Sequence, residues 1–260
     1  MVVARRGKIL DLPLDGRREM TYLGSMSRDV SELVRGMRDM RLATVPVLLL
    51  AVFASGVYAF LAIAGEMAEN ELAGIDRHLL LMFRDPVDAS DPLGPPWLED
   101  TVAQITTLGG YPVLVLLVGA VAGFLLVSKK FGPALFVLVS IVSGTVLSHL
   151  LKLAYDRPRP DLVDHLVQTH TASFPSGHAT MSAVVYLTLA ALVVRLVDSL
   201  AVRVYVVCVA VLLTVMVGVS RVYLGVHWPS DVAAGWALGA AWASLSWLAV
   251  TALRALRGRR

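Results

Sequence analysis

The sequence predicts an all-α membrane protein, a polytopic bundle of six transmembrane helices. Two observations on composition favour this class: 57% of the 260 residues are hydrophobic and only 17% are charged. A third is that six apolar stretches approach the roughly 20 residues that a helix needs to cross a hydrocarbon core about 30 Å thick. These stretches cover about 43–64, 108–128, 132–153, 178–197, 201–221 and 232–252.

The basic residues predict how these helices are oriented, because Lys and Arg accumulate in cytoplasmic loops. Six spans put both termini on one side, and that side holds seventeen Lys and Arg residues against six on the other. The preference for Arg over Lys indicates a bacterial genome. We therefore expect a multi-pass protein of the bacterial inner (plasma) membrane with both termini in the cytoplasm. The charge of +3 is dispersed, so no nucleic-acid partner is expected.

Three parts of the chain are distinguished: a cytoplasmic leader (1–41), the membrane domain (42–253) and a basic cytoplasmic tail (254–260). In the leader, apolar residues between Val30 and Met40 recur at helical spacing, which predicts an amphipathic helix in the headgroup layer. Residues 65–107 form a long extracytoplasmic loop in which we expect short helices. Loops of that length are usually functional or disordered. Part of this one is expected to dip into the outer membrane interface beside the site, and the alternative is a simple connector.

Four cations are predicted to collect at one membrane boundary. Lys152 closes the third span, and Arg157 and Arg159 lie in the "DRPRPD" turn that follows. Arg221 ends the fifth span, at the same boundary. Each of them alone could be a headgroup contact or a snorkelling side chain. Because like charges repel, their convergence indicates that an anion binds between them.

The fourth span begins at this boundary with an arrangement that suits a phosphate. The first backbone N–H groups of a helix have no internal partners, and the helix macrodipole is positive there. Ser176 is the expected N-cap, and Gly177 lets an anion approach the backbone closely. Arg and Lys side chains nearby would bind the phosphate oxygens.

Two histidines supply what hydrolysis needs beyond binding. The unperturbed pKa of histidine, about 6.5, allows either a neutral nucleophile or a charged proton donor near neutral pH. Asp231 follows His227 by four residues, so its carboxylate can reach back to one imidazole nitrogen. We expect His227 to attack phosphorus, while His178 protonates the departing oxygen and later activates water.

These residues carry a family resemblance. The stretches are "KLAYDRPRP" (152–160), "PSGH" (175–178) and "SRVYLGVHWPSD" (220–231). Together they resemble the three-part signature of the type 2 phosphatidic acid phosphatase family, the membrane-integral lipid phosphate phosphatases. The resemblance implies these roles: phosphate binding by Lys152, Arg159, Ser176, Gly177 and Arg221, and catalysis by His227, His178 and Asp231. Arg157 lies outside the signature and is expected only as a possible headgroup contact.

The resemblance implies a lipid phosphatase that uses neither a metal nor another cofactor. The expected partners are a lipid phosphate substrate and membrane lipids, and no obligate protein partner is evident. The substrate would be undecaprenyl diphosphate, phosphatidylglycerophosphate or phosphatidic acid, cleaved at the extracytoplasmic face through a phosphohistidine intermediate. Alternatives are a lipid phosphotransferase or a lipid A phosphatase with the same site, or a lipid-binding or transport protein. A haloperoxidase is disfavoured because peroxide chemistry does not need six membrane spans.

Overall fold

The chain folds into eight helices within the residues that the structure describes. The computed structural model describes residues 44–167 and 171–257, so the predicted leader helix lies outside the described residues. The helices are α1 Thr44–Ala68, α2 Ala73–Leu81, α3 Pro96–Thr107, α4 Tyr111–Val127, α5 Phe131–Tyr155, α6 Gly177–Leu196, α7 Leu200–Tyr223 and α8 Pro229–Arg257.

Five of these helices are long and apolar enough to cross a membrane, namely α1, α5, α6, α7 and α8. A further candidate is the pair α3 and α4, which pass the same test only together and meet at a bend of 44°. The helix α4 alone has 17 residues, and Pro112 in its first turn has no N–H to donate to a preceding helical turn. The predicted polytopic helical bundle is confirmed for the described residues, with five spans, or six if the bent pair is one broken span.

The described residues from Leu48 onward form one compact unit. The segment predicted as a long loop, 65–107, contains the end of α1 and the helices α2 and α3. The segment predicted as a tail continues α8 as far as Arg257.

Helix α6 is the central helix of the bundle. In the apolar 18-residue stretch of α6, 61% of the residues are buried, against 17% to 33% in the corresponding stretches of the other four long helices. Many of its residues are small, and α8 approaches it through two glycines. A Cβ on Gly235 would lie 2.9 Å from the carbonyl oxygen of Ser176, and one on Gly239 would lie 2.5 Å from Cβ of Ala183. Close approach of small residues is a common way to pack membrane helices.

Four helix ends meet where the site residues lie: the C-terminal ends of α5 and α7 and the N-terminal ends of α6 and α8. The backbone N–H of Ser176 donates to the carbonyl of Asp231 at 3.0 Å, and that of Ser173 donates to the carbonyl of Arg157 at 2.8 Å. These bonds join the segments before α6 to the turn after α5 and to α8. The α3–α4 bend packs here too, because the hydroxyl of Tyr186 donates to the carbonyl of Leu108 at 2.7 Å.

The close contact between α6 and α8 yields a stability prediction. The substitution Gly239→Ala forces the new methyl group against Ala183 and the carbonyl of Thr180, and such overpacking costs about 1–3 kcal/mol. The unfolding temperature of the purified protein in detergent should fall accordingly. Gly119→Ala in α4 is the matched control, since its Cβ meets nothing within 4 Å. An equal change in both variants would contradict the packing described.

Candidate active site

Side chains from these helix ends and the adjoining turns line one cavity of about 670 Å³. Six of the predicted site residues line it: Lys152, Arg159, Gly177, His178, Arg221 and His227. The two histidines, which come from two different motifs of the signature, therefore face the same space. The cavity also extends along the start of α4, where Tyr111 and Val113 form part of its wall.

His227 lies in the turn between α7 and α8, and only 2% of its surface is exposed. Its Nδ1 is 3.4 Å from Oδ2 of Asp231, and its Nε2 is 3.3 Å from Nη1 of Arg159. Because Nδ1 faces a carboxylate and Nε2 faces a donor, the neutral tautomer protonated on Nδ1 fits both neighbours. Burial lowers the pKa of His227 to about 3, an effect that Asp231 opposes only in part. The imidazole is therefore neutral near pH 7, with an electron pair on Nε2.

Asp231 is fully buried in the first turn of α8. Its Oδ2 accepts a hydrogen bond from the backbone N–H of Trp228 at 2.9 Å and another from the hydroxyl of Ser173. The same hydroxyl oxygen lies 3.4 Å from Nδ1 of His227. Ser173 thus lies beside both the carboxylate and the imidazole, and it restricts the orientation of each.

The three cations that line the cavity are bound only to neutral groups among the described residues. Lys152 Nζ donates to the carbonyl of Ala172 at 2.6 Å. Arg159 donates from Nε to the carbonyl of Thr171 at 2.9 Å and from Nη1 to that of Val226. Burial lowers the pKa of Arg159, because desolvation disfavours the charged form. These charges therefore remain available to an anion.

Arg221 is the most buried of these cations, with 4% of its surface exposed. Its Nη1 donates to the hydroxyl of Thr106 in α3 at 3.1 Å. Its buried Nε has no hydrogen-bond partner among the described residues. Buried donors are rarely left unpaired, so this guanidinium has capacity for a ligand.

The N-terminus of α6 has the geometry that its sequence predicts. Ser176 is the N-cap, and its hydroxyl oxygen accepts from the backbone N–H of Ala179 at 3.5 Å. The Ser176 side chain is fully buried and lies outside the cavity lining. Gly177 does line the cavity, and a Cβ there would lie 3.4 Å from Cε of Lys152. The lysine therefore lies directly over the helix terminus.

Arg157 has contacts different from the predicted headgroup contact. Its Nη1 donates to Oδ1 of Asp231 at 2.7 Å, and its Nη2 donates to Oδ2 of Asp76 at 2.8 Å. Its guanidinium also lies 5.6 Å from the ring centroid of Trp228. Because two carboxylates hold the side chain and it does not line the cavity, we withdraw the headgroup hypothesis for this residue.

Sequence reasoning missed several residues around the site. Ser173 directly precedes "FPSGH" and could have been noticed by its proximity to that motif. Asp76 and Thr106 belong to the first loop, far from the motifs, and no spacing rule links them to the site. They contact the site only because α2 and α3 pack against the ends of α8 and α7.

Comparison with known proteins identifies the family of the chain. The model of the PAP2 superfamily matches residues 133–255. Phosphatidylglycerophosphatase B of Bacillus subtilis is 35% identical over 147 residues, which are 55% of this chain and 71% of that protein. The chain belongs to the PAP2 superfamily. All nine predicted site residues lie within the matched range.

Two further comparisons support the membrane fold and a phosphatase activity. An undecaprenyl-diphosphatase of Sulfolobus acidocaldarius is 33% identical over 150 residues, covering 52% of this chain and 68% of that protein. The crystal structure of a transmembrane PAP2 type phosphatidylglycerolphosphate phosphatase from Bacillus subtilis matches with a TM-score of 0.66 and 29% identity, covering 75% of this chain and 93% of that one. This PAP2 protein is thus a multi-pass membrane protein related to lipid phosphate hydrolases.

The unpaired cations predict that the PAP2 site binds a tetrahedral anion. Orthovanadate at about 100 times its Kd should stabilise the protein by about 2.7 kcal/mol, seen as a higher unfolding temperature. Arg221→Gln removes a charged donor and should weaken vanadate binding roughly 10- to 100-fold. Arg203→Gln is the control, because Arg203 is ion-paired with Asp198 near the start of α7. An undiminished affinity in Arg221→Gln would contradict the assignment.

Proposed function

We propose that this protein is a lipid phosphatase that releases phosphate from a lipid phosphate or diphosphate through a phosphohistidine intermediate. One observation carries the proposal: two imidazoles line a single cavity together with three cations that have no carboxylate partner in the described part of the chain. A cavity that only bound headgroups would not need an imidazole placed against a buried carboxylate. The arrangement suits in-line displacement at phosphorus, with a nucleophile on one side and a proton donor on the other.

In the first step the electron pair on Nε2 of His227 attacks phosphorus. The P–N bond forms as the bond from phosphorus to the lipid oxygen breaks, and His178 gives its proton to that oxygen. The lipid leaves as an alcohol, or as a monophosphate if the substrate was a diphosphate. Asp231 stabilises the positive charge that develops on the imidazole, because its Oδ2 faces Nδ1.

In the second step the roles of the groups reverse. His178, now neutral, accepts a proton from water, and the resulting hydroxide attacks phosphorus. The P–N bond breaks, His227 recovers its electron pair, and inorganic phosphate leaves. In both steps Lys152, Arg159 and Arg221 would stabilise the charge on the phosphoryl oxygens, which is the largest contribution expected in phosphoryl transfer. These cations could supply the stabilisation without a metal ion.

The membrane orientation proposed here follows from the distribution of basic residues. If the side with seventeen Lys and Arg residues is cytoplasmic, the site faces the periplasm or the exterior of a bacterial inner membrane. The cavity reaches the start of α4 at Tyr111 and Pro112. A substrate could then keep its tail in the bilayer while its phosphate enters the cavity.

The substrate class is a lipid with a terminal phosphate or diphosphate. Candidates are undecaprenyl diphosphate, phosphatidylglycerophosphate and phosphatidic acid, and the names of the two relatives described above include the first two. All three combine a highly charged headgroup with an apolar tail, as the cationic cavity at a membrane boundary requires.

The proposed reaction predicts a covalent intermediate on one histidine. With chelator present, purified protein should release inorganic phosphate from at least one lipid of this panel, and His227→Ala should lower kcat by about 10⁴-fold or more. With a substrate labelled in its phosphate, the amount of free phosphate is compared with the amount of phosphate transferred to another lipid. This comparison separates hydrolysis from transfer to a lipid acceptor. His78→Ala, on the exposed surface of α2, is the control. Full phosphate release by His227→Ala would refute the mechanism.

A further inference from the structure

A buried carboxylate of the first loop lies beside the start of α8. Asp76, in α2, has 1% of its surface exposed. Its Oδ1 accepts from the backbone N–H of Ser230 at 2.8 Å, and its Oδ2 accepts from the hydroxyl of the same serine. Asp76 therefore satisfies N-terminal donors of α8, the helix that carries Asp231.

Arg157 joins this carboxylate to the one beside His227. Its two terminal nitrogens donate separately, Nη2 to Asp76 at 2.8 Å and Nη1 to Oδ1 of Asp231 at 2.7 Å. With Oδ1 of Asp231 bound to Arg157, the carboxylate plane is fixed and Oδ2 faces the imidazole. Planar guanidinium groups impose such geometry more strictly than lysine does.

The charges in this network also matter. One guanidinium shared between two carboxylates leaves the group with a net negative charge. Without Asp76, Arg157 would neutralise Asp231 alone, and less negative charge would remain to stabilise a positively charged His227. Burial strengthens these effects, since the side chains of Asp76 and Asp231 are almost inaccessible to water.

We infer that Asp76 is a positioning residue of the proposed active site, which fixes Asp231 through Arg157 and Ser230 and thereby orients His227. The inference rests on the proposed function. Asp76 lies outside residues 133–255, the range that the PAP2 superfamily model matches. The first loop would therefore contribute to the catalytic geometry as well as to the surroundings of the cavity.

The test is the steady-state kinetics of Asp76→Asn in the full-length protein. The isosteric amide removes the charge, so kcat should fall about 10- to 100-fold as the imidazole loses its orientation. KM should change less than about twofold, because Asp76 does not line the substrate cavity. Asp100→Asn, on the exposed surface of α3, is the matched control and should behave as the wild type.

The mechanism of the effect is tested by combining Asp76→Asn with Arg157→Gln. If both residues act on Asp231, the double variant should be no more impaired than the worse single one. Unchanged kcat in Asp76→Asn would overturn the inference. A fall in kcat together with a raised KM and a lower unfolding temperature would also overturn it, because that result would indicate a general structural role. Asp231→Asn, measured in parallel, distinguishes a failure of the inference on Asp76 from a failure of the proposed function. Full activity in the Asp231→Asn variant would refute the proposed function itself.

A second cleft lies at the other end of the bundle. It has a volume of about 350 Å³, and its lining residues are Pro133, Phe136, Leu192, Arg195, Leu196, Trp247, Val250 and Arg254. Along α6, the distance from His178 to Arg195 is about 26 Å. This cleft is therefore separate from the active-site cavity.

Two guanidinium groups share this otherwise apolar cleft. Arg195 lies 4.3 Å from the ring centroid of Trp247, so the indole covers its face, and its edge donors have no hydrogen-bond acceptor among the described residues. Neither Arg195 nor Arg254 forms an ion pair with a carboxylate among the described residues. An anion between the two side chains would relieve their repulsion. Basic pockets between membrane helices at a headgroup boundary are typical of anionic lipid sites.

We propose, independently of the active site, that this cleft binds an anionic phospholipid of the opposite leaflet. Arg195 and Arg254 would bind its phosphate, and the apolar walls from α5, α6 and α8 would contact its acyl chains. The observation that carries the proposal is an apolar cleft of about 350 Å³ that holds two arginines without a carboxylate partner among the described residues.

The test compares lipids added to detergent-purified protein in an Arg221→Gln background, which weakens phosphate binding at the active site. Phosphatidylglycerol should raise the unfolding temperature more than phosphatidylcholine does. The additional change Arg195→Gln with Arg254→Gln should remove that difference, whereas Arg203→Gln should keep it. An undiminished difference in the double arginine variant would overturn the proposal. If inorganic phosphate stabilises the protein as much as phosphatidylglycerol does, the proposal is also overturned, because the cleft would then bind free phosphate.

Discussion

The structure depends on a charge imbalance at one end of a helical membrane bundle. Lys152, Arg159 and Arg221 come from three separate segments, and among the described residues their partners are carbonyls, hydroxyls and one imidazole. Removing such groups from water costs several kcal/mol each unless opposite charges compensate them. The helix termini and the tight α6–α8 packing hold them together nonetheless, so that a phosphate would supply the missing negative charge.

The negative charge that the site does contain lies behind His227 and outside the cavity. Asp231 faces His227 with one oxygen and Arg157 with the other, and Asp76 binds the same guanidinium. This separation has a chemical consequence. A carboxylate within the cavity would repel the substrate, whereas behind the imidazole it stabilises the charge that the proposed mechanism creates there.

Much of this arrangement could be predicted from the sequence, because apolar length defines spans and the three motifs lie at their ends. The bend of 44° between α3 and α4 could not, because the polar residues of α3 put it in the predicted loop, and only the structure shows that it and α4 form a bent pair. The family resemblance distinguishes Arg159 from Arg157, but it does not predict that Arg157 binds two carboxylates. In the extended "DRPRP" segment, side chains two residues apart point to the same side only when the backbone is regular. Here the turn directs Arg159 into the cavity and Arg157 towards the carboxylates. Asp76 has no sequence signal, since its partners lie 81 and 154 residues away.

The most direct test of the central claim is an experimental structure of the full chain with orthovanadate bound. We expect vanadium bonded to Nε2 of His227, with His178 on the opposite side. Lys152, Arg159 and Arg221 should contact the equatorial oxygens, and Nδ1 of His227 should remain directed at Asp231. Vanadate bound elsewhere, or held in the cavity without a bond to His227 and with His178 turned away, would contradict it.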